Sequence, residues 1–148
     1  MGAEYRENSE KKDIRLFRWW NNEHRQFTDW TPCETFAPYD IDATSKQGNR
    51  VKIELKYRNA PSTKYSTWFI EADKLADGLL FATIDGYIPL YLNFFEDGKV
   101  AIWRLDKLKK YPKKHKIHRK NEGYNVDDEM PGYKLPIDEA YMSTLRGT

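Results

Sequence analysis

We predict an α/β fold of the mixed α+β kind, in which helices flank a central mixed sheet. Three patterns carry this prediction: helical spacing of apolar residues in 11–27, strict alternation in Arg50–Arg58, and an almost wholly apolar run at Ile88–Phe95. The elements follow one another as helix, hairpin, helix and two strands. With 148 residues, the chain favours a single domain over 1–148.

The first half of this order is a helix followed by a β-hairpin. Apolar side chains recur every three or four residues through 11–27, which predicts an amphipathic helix. Two extended runs, Thr35–Thr44 and Arg50–Arg58, flank a Gly-Asn pair at Gly48 that is typical of a reverse turn. Alternate residues of the second run share a face, one set apolar and one charged: Val51, Ile53, Leu55 and Tyr57, then Lys52, Glu54, Lys56 and Arg58.

The second half begins with a predicted short strand at 66–70 and a helix over Ala72–Thr83. Ile88–Phe95 is apolar almost throughout, which is typical of a central strand buried on both faces. A turn follows, and Val100–Leu105 is predicted as the next strand. We expect 107–148 to be a basic, loop-rich extension in which a few side chains pack on the surface: Tyr124, Tyr133, Leu135 and Ile137.

Several classes of protein are disfavoured by what the sequence lacks. No run of 18 apolar residues occurs, so we expect no membrane span or membrane partner. The first residues are polar and carry no signal core, which predicts a cytoplasmic, intracellular protein. The one cysteine, Cys33, can form neither an internal disulfide nor a cysteine-based zinc cluster. Phosphate-binding glycine motifs are also absent from the sequence.

Positive charge is concentrated in one segment. The net charge is +2, but Arg104–Lys120 holds nine Lys or Arg residues and one Asp, a local charge of +8. The rest of the chain therefore carries 2 − 8 = −6. Such a segment is typical either of a polyanion-binding surface or of a solvated charged loop, and the charge alone does not decide between them.

The hairpin carries the residues that could do chemistry. Glu54 and Lys56 are two apart on one strand and therefore project from the same face, while Asp40 lies on the paired strand. Converging carboxylates bind hard cations such as Mg²⁺ or Mn²⁺, and a lysine beside them could orient water or stabilise an oxyanion. The Leu55 backbone oxygen is a further ligand if the strand edge is open. Asp42 shares the face of Asp40 and remains an alternative or second ligand.

Two sequence segments resemble the PD-(D/E)xK nuclease superfamily: Pro38-Tyr39-Asp40 and Ile53-Glu54-Leu55-Lys56. The resemblance covers roughly residues 10–106. In the literal motif the Pro and Asp are adjacent, whereas here one residue separates Pro38 from Asp40. It implies a restriction-endonuclease-like αβββαβ core, Mg²⁺- or Mn²⁺-dependent phosphodiester hydrolysis and DNA as substrate. It also implies that Asp40 and Glu54 are metal ligands and Lys56 is the catalytic lysine. Many members add a glutamate from the first helix, for which Glu10 is the candidate and Glu23 the alternative.

We therefore expect a metal-dependent DNA endonuclease, with a homodimer as the natural geometry for cutting both strands. Eight basic residues are candidates for nucleic-acid contacts: Arg50, Arg58, Lys64, Lys74, Lys109, Lys110, Lys113 and Lys114. Two alternatives stay open. One is a catalytically silent nucleic-acid-binding or interaction module on the same fold. The other is an unrelated α+β domain whose Glu-x-Lys pair is an ordinary, wet strand face.

Overall fold

The computed structural model describes residues 11–34, 37–109, 112–118 and 129–146. In chain order the elements are α1 (Lys12–His24), β1 (Phe27–Pro32), β2 (Ile41–Ser45), β3 (Arg50–Arg58), β4 (Thr67–Glu71), α2 (Ala72–Asp85), β5 (Ile88–Phe95), β6 (Lys99–Arg104), β7 (Lys114–His118), β8 (Glu129–Pro136) and β9 (Tyr141–Thr144). Short 3-10 turns at Leu105–Lys107 and Ile137–Glu139 follow β6 and β8. None of the described helices combines the length and apolarity needed to cross a bilayer.

The strands form two sheets. The larger has the order β1-β2-β3-β5-β6-β9, and the smaller has the order β4-β8-β7. In the larger sheet β3 and β5 are parallel, and every other neighbouring pair is antiparallel. The connection from β3 to β5 passes through β4 and α2, as parallel neighbours require a crossover. This architecture confirms the predicted mixed sheet with flanking helices.

Burial of apolar side chains on both faces of the large sheet builds the core. On one face α1 contributes Phe17 and Trp20, which pack with Ile53 of β3 and Phe94 of β5. On the other face a second cluster joins β4, β5, β6, β8 and α2, and its fully buried members include Trp103. Since β5 supplies residues to both clusters, it is the central strand that its apolar sequence predicted.

The first helix ends earlier than the apolar spacing predicted, at His24 and not at residue 27. Arg25 adopts a left-handed conformation, with φ of 51°, and its N–H donates to the Asn21 carbonyl. The Asn21 side chain then donates to the Phe27 carbonyl and accepts from the Phe27 N–H, both at 2.9 Å. Phe27 therefore starts an unpredicted strand, although its ring still packs on the α1 core, which is why its spacing resembled a helix.

The first hairpin strand is also shorter than the sequence predicted. It begins at Ile41, whereas the extended run was expected from Thr35. Asp40 lies in a bend just before it, and residues 35–36 are outside the described part of the chain. The second strand, Arg50–Arg58, has the predicted bounds, and Ile41 pairs with Ile53.

The expectation of a loop-rich extension after residue 107 was wrong for the described residues. That region contributes β7, β8 and β9, and Leu135 of β8 is fully buried. The β8 sequence hides its strand character because Pro131, Gly132 and Pro136 interrupt the alternation that identifies strands. A Cβ at Gly132 would lie 1.7 Å from the ring of Phe69, so glycine makes room for that ring. Tyr124 lies outside the described residues.

Candidate active site

A pocket of about 260 Å³ lies where α1, β3, β4 and α2 approach one another. It collects acidic and basic side chains from five places in the chain. Its lining residues are Asp13, Asp40, Glu54, Leu55, Lys56, Arg58, Phe69, Ile70, Glu71, Lys74 and Tyr91. The structure therefore brings the three residues of the predicted constellation, Asp40, Glu54 and Lys56, into one concave site.

Asp40 is fixed by hydrogen bonds on three sides. Its backbone N–H donates to the Ile53 carbonyl at 2.9 Å, and its carbonyl accepts from the Cys33 N–H at 2.8 Å. Its carboxylate Oδ2 accepts from the Leu55 N–H at 2.8 Å. The bend before β2 thus holds Asp40 against the middle of β3. The Asp40 carboxylate accepts the Leu55 N–H, a hydrogen bond that a backbone carbonyl would accept if β2 extended further.

The strand geometry of β3 sets the directions of the other groups. Glu54 and Lys56 lie on the face opposite the apolar set, and both line the pocket. The N–H and C=O of one strand residue point to the same side, so the Leu55 carbonyl points toward Asp40, as its N–H does. Since β2 begins at Ile41, which pairs with Ile53, no β2 residue pairs with Leu55, and this carbonyl faces an open strand edge.

Burial and nearby negative charge raise the pKa of both carboxylates. Burial, followed by the nearby Asp40 charge, raises the pKa of Glu54 from 4.5 to about 8. Burial also raises the pKa of Asp40, against the lowering effect of the Leu55 N–H. Glu71 and Asp13 add further negative charge near Glu54, while Lys74 opposes it, with 3.8 Å between Lys74 Nζ and Glu54 Oε1. The site as a whole is short of positive charge.

The raised pKa of Glu54 predicts that the metal-free protein loses stability as the pH rises. Between about 4.5 and about 8 the unfolded chain carries an ionised Glu54, while the folded chain retains the proton. The free energy of unfolding should therefore fall across this window and level off above it. Urea denaturation in EDTA across that range, compared with Glu54→Gln, measures the effect. Equal slopes for the two proteins would contradict the prediction.

The donor set fits a hard divalent cation. Glu54 Oε2 is buried and has no hydrogen-bond partner in the described structure, so one oxygen ligand faces the pocket unused. In the described ranges no three His, Cys, Asp or Glu side chains are close enough to ligate one ion together. Mg²⁺ commonly takes only one or two protein carboxylates, with waters and substrate phosphate oxygens completing its shell. Asp40, Glu54 and the Leu55 carbonyl match that pattern.

Asp42 is placed away from this site. Its Oδ2 lies 2.6 Å from Lys52 Nζ, and the two residues are paired across β2 and β3. The same ammonium lies 4.3 Å from the ring centroids of Tyr39 and Tyr87. Since Asp42 is neutralised there and does not line the pocket, the geometry favours Asp40 of the two candidates.

Two acidic residues of the pocket were not singled out from the sequence. Asp13 lies in the first turn of α1, and Glu71 ends β4. Asp13 is four residues before Phe17 on the core side of α1, a position that could have pointed to it. The helix candidates differ: Glu10 is outside the described residues, and Glu23 is exposed ten residues along the helix, about 15 Å from Asp13.

Arg58 and Lys74 both line the pocket, but in different ways. Lys74 projects from the first turn of α2 and is partly exposed. Arg58 is only 6% exposed, and its guanidinium donates to the Asn93 side chain at 2.7 Å, to the Phe69 carbonyl and to the Tyr91 hydroxyl at 3.1 Å. The expected contact with phosphate at the surface is therefore wrong for Arg58. Its hydrogen bonds join β3 to β4 and β5 beneath the site.

The remaining basic candidates lie outside the pocket. Arg50 is exposed over the Tyr87 ring, and Lys64 is exposed in the loop before β4. Lys109 is exposed, and its backbone N–H donates to the Glu139 carboxylate at 2.6 Å. Lys113 and Lys114 are exposed at the start of β7, and Lys110 is outside the described residues.

The element order and the mixed sheet are those of a restriction-endonuclease-like fold. A solved structure with this fold is Hjc, a Holliday junction resolvase from the archaeal hyperthermophile Archaeoglobus fulgidus. The two structures match with a TM-score of 0.54 and 16% sequence identity, over 85% of this chain and 84% of that chain. At this identity the likeness shows the fold alone. Neither a protein-family model nor a curated protein sequence matches the chain.

Proposed function

We propose that the protein is a Mg²⁺-dependent nuclease that hydrolyses phosphodiester bonds in DNA. The observation that carries this proposal is the buried, unpartnered Glu54 Oε2 beside Asp40 and Lys56 in one pocket. A carboxylate pair that leaves an oxygen without a donor is costly unless a cation or proton binds it. The fold shared with a Holliday junction resolvase supports the same class of activity and makes branched DNA a substrate to test.

In this mechanism Asp40, Glu54 and the Leu55 carbonyl would hold the cation, with Asp13 of α1 lining the same pocket. A bound Mg²⁺ or Mn²⁺ would supply charge that stabilises the phosphoryl oxygens and would make the attacking water more acidic. The Leu55 N–H keeps the Asp40 carboxylate oriented. The Arg58 contacts hold β4 against β3 and so fix the wall that carries Glu71.

Two lysines provide the positive charge that faces the reacting phosphate. Lys56 projects from the same strand face as Glu54, where it can orient the water or stabilise the charge on the oxyanion. Lys74 stands 3.8 Å from Glu54 Oε1 at the start of α2. A cation held by Glu54 would compete with this long contact, and Lys74 would then be available to bind a phosphate oxygen next to the cut.

A matched pair of variants tests the proposal. The wild-type protein should cleave plasmid, single-stranded or four-way-junction DNA in Mg²⁺ or Mn²⁺ and should be inactive in EDTA. Asp40→Asn should lose at least about 100-fold in rate, because it weakens the ligand set. Asp42→Asn should cleave at close to the wild-type rate, since Asp42 pairs with Lys52 outside the pocket.

Two results would count against the nuclease. Metal-independent binding of DNA, with no cleavage of any substrate, would favour the catalytically silent module. Cleavage that Asp42→Asn abolishes and Asp40→Asn spares would show that the ligand assignment is wrong.

A further inference from the structure

The smaller sheet connects the candidate site to the basic C-terminal region through paired residues. Glu71, at the end of β4, pairs with Gly132 of β8, and Gly132 pairs with His115 of β7. Paired residues of antiparallel strands have Cα atoms about 4.5–5.5 Å apart, so two steps place β7 about 10 Å from Glu71. Because Glu71 lines the pocket, β7 runs beside the site at a fixed separation.

Positive charge is exposed on and just before β7. Lys113, Lys114 and Lys116 are exposed, and the segment 112–118 contains no acidic residue. None of the three lysines forms an ion pair with a residue of the described chain. Lys114, His115 and Lys116 border an open groove of about 530 Å³, and the acidic residue Glu129 of the paired strand β8 lines the same groove. Exposed lysines along a groove are the usual means of holding a phosphate backbone.

We infer that β7 binds the phosphate backbone of the DNA on one side of the cut, with Lys114 and Lys116 as its principal contacts. This inference rests on the proposed nuclease function and adds the position of the bound backbone. Lys114 and Lys116 are two apart on a strand, so they project from one face about 7 Å apart, roughly two nucleotides of duplex rise. His115, between them, projects from the other face, which it shares with its paired neighbours Gly132 and Glu71. The separation of about 10 Å from Glu71 corresponds to about three nucleotides.

The sheet gives this surface a rigidity that a basic loop would lack. β8 is paired along its length, with β4 on one side and β7 on the other. Leu135 of β8 is fully buried, and Phe69 of β4 packs with Met130 of β8. The lysines of β7 are therefore held in register with the pocket, and the bound backbone enters at a defined distance.

The test compares two double variants of the full chain that remove equal charge. Lys114→Ala/Lys116→Ala changes β7, and Lys46→Ala/Lys99→Ala removes two exposed lysines from the larger sheet, one in the β2–β3 turn and one at the start of β6. Affinity for duplex and four-way-junction DNA is measured by fluorescence anisotropy in EDTA over a range of salt. The β7 variant should lose on the order of tenfold in affinity, and its log–log salt slope should fall by about 0.9 per lost contact. The control variant should resemble the wild type.

A phosphate-neutralisation experiment locates the contact. Single methylphosphonates are placed along the substrate, and those that weaken wild-type binding should cluster within a few nucleotides on one side of the cut. The β7 variant should lose this sensitivity.

Equal binding by the two double variants, or an unchanged methylphosphonate pattern, would overturn the inference while leaving cleavage by the wild type intact. DNA binding that depends on β7, with no cleavage in any metal, would support the inference and refute the nuclease.

Discussion

Glu54→Gln should make the metal-free protein more stable and at the same time abolish DNA cleavage. The substitution removes a buried carboxylate whose Oε2 has no partner and whose pKa is raised to about 8. At about pH 8.5 the wild type must hold this group largely ionised, so the variant should gain on the order of 1 kcal/mol, or roughly 2–4 °C in Tm. Cleavage should fall by more than about 100-fold, because the proposed mechanism assigns Glu54 as a metal ligand.

The same variant should no longer respond to metal. A cation that binds only the folded state stabilises it by about 2.7 kcal/mol at a hundred times its Kd. Mn²⁺ should therefore raise the Tm of the wild type and leave that of Glu54→Gln nearly unchanged. Glu96→Gln, at an exposed turn position, is the matched control and should behave as the wild type does. A Glu54→Gln protein that Mn²⁺ still stabilises would remove Glu54 from the ligand set.

Lys56→Ala should separate catalysis from metal binding. Lys56 shares a strand face and a pocket with Glu54, but an ammonium cannot ligate a cation. The variant should keep the Mn²⁺-dependent rise in Tm while kcat falls about 10²–10³-fold, the usual cost of removing a group that stabilises transition-state charge. Single-turnover cleavage at saturating metal, together with thermal melts, measures both quantities on one preparation.

Two further variants define the role of this lysine. Lys56→Arg retains the charge but changes its geometry, so it should recover only part of the activity. Lys99→Ala removes an exposed lysine from the start of β6 and should leave kcat unchanged. Wild-type cleavage by Lys56→Ala would mean that another group, such as Lys74, supplies the positive charge.

The sequence predicted the central part of the fold because that part is encoded locally. The alternation in β3 and the apolar run of β5 each indicate, from the strand's own residues, which of its faces are buried. The C-terminal strands could not be predicted in the same way. β8 and β9 are strands because β4 and β6 offer them edges, and those partners lie far away in sequence. A proline-rich stretch such as β8 carries no local pattern that reveals such a partner.

The residues of the candidate site fall into the same two groups, those that the local sequence brings together and those that depend on distant partners. Asp40, Glu54 and Lys56 belong to one hairpin, so their meeting follows from a short turn and a strand period, although their roles remain predictions. Asp13 and Glu71 reach the pocket only through the packing of α1 and β4. The hydrogen bonds of Arg58 to β4 and β5 likewise depend on long-range placement, and so its sequence position suggested a surface residue.

The Asp40 carboxylate accepts a β3 hydrogen bond that a backbone carbonyl would accept in a longer β2, and this affects the order in which the protein folds. Its bond to Leu55 can form as soon as the hairpin closes, early in folding and with little chain in between. The pocket walls need pairings between residues far apart in sequence, such as β3 with β5 and β4 with β8, and such pairings form slowly. During synthesis the carboxylate pair is therefore ready before its walls exist. The β4 wall of the pocket can pair with β8 only after residues 129–136 have been made, so a partly synthesised chain holds the two carboxylates without that support.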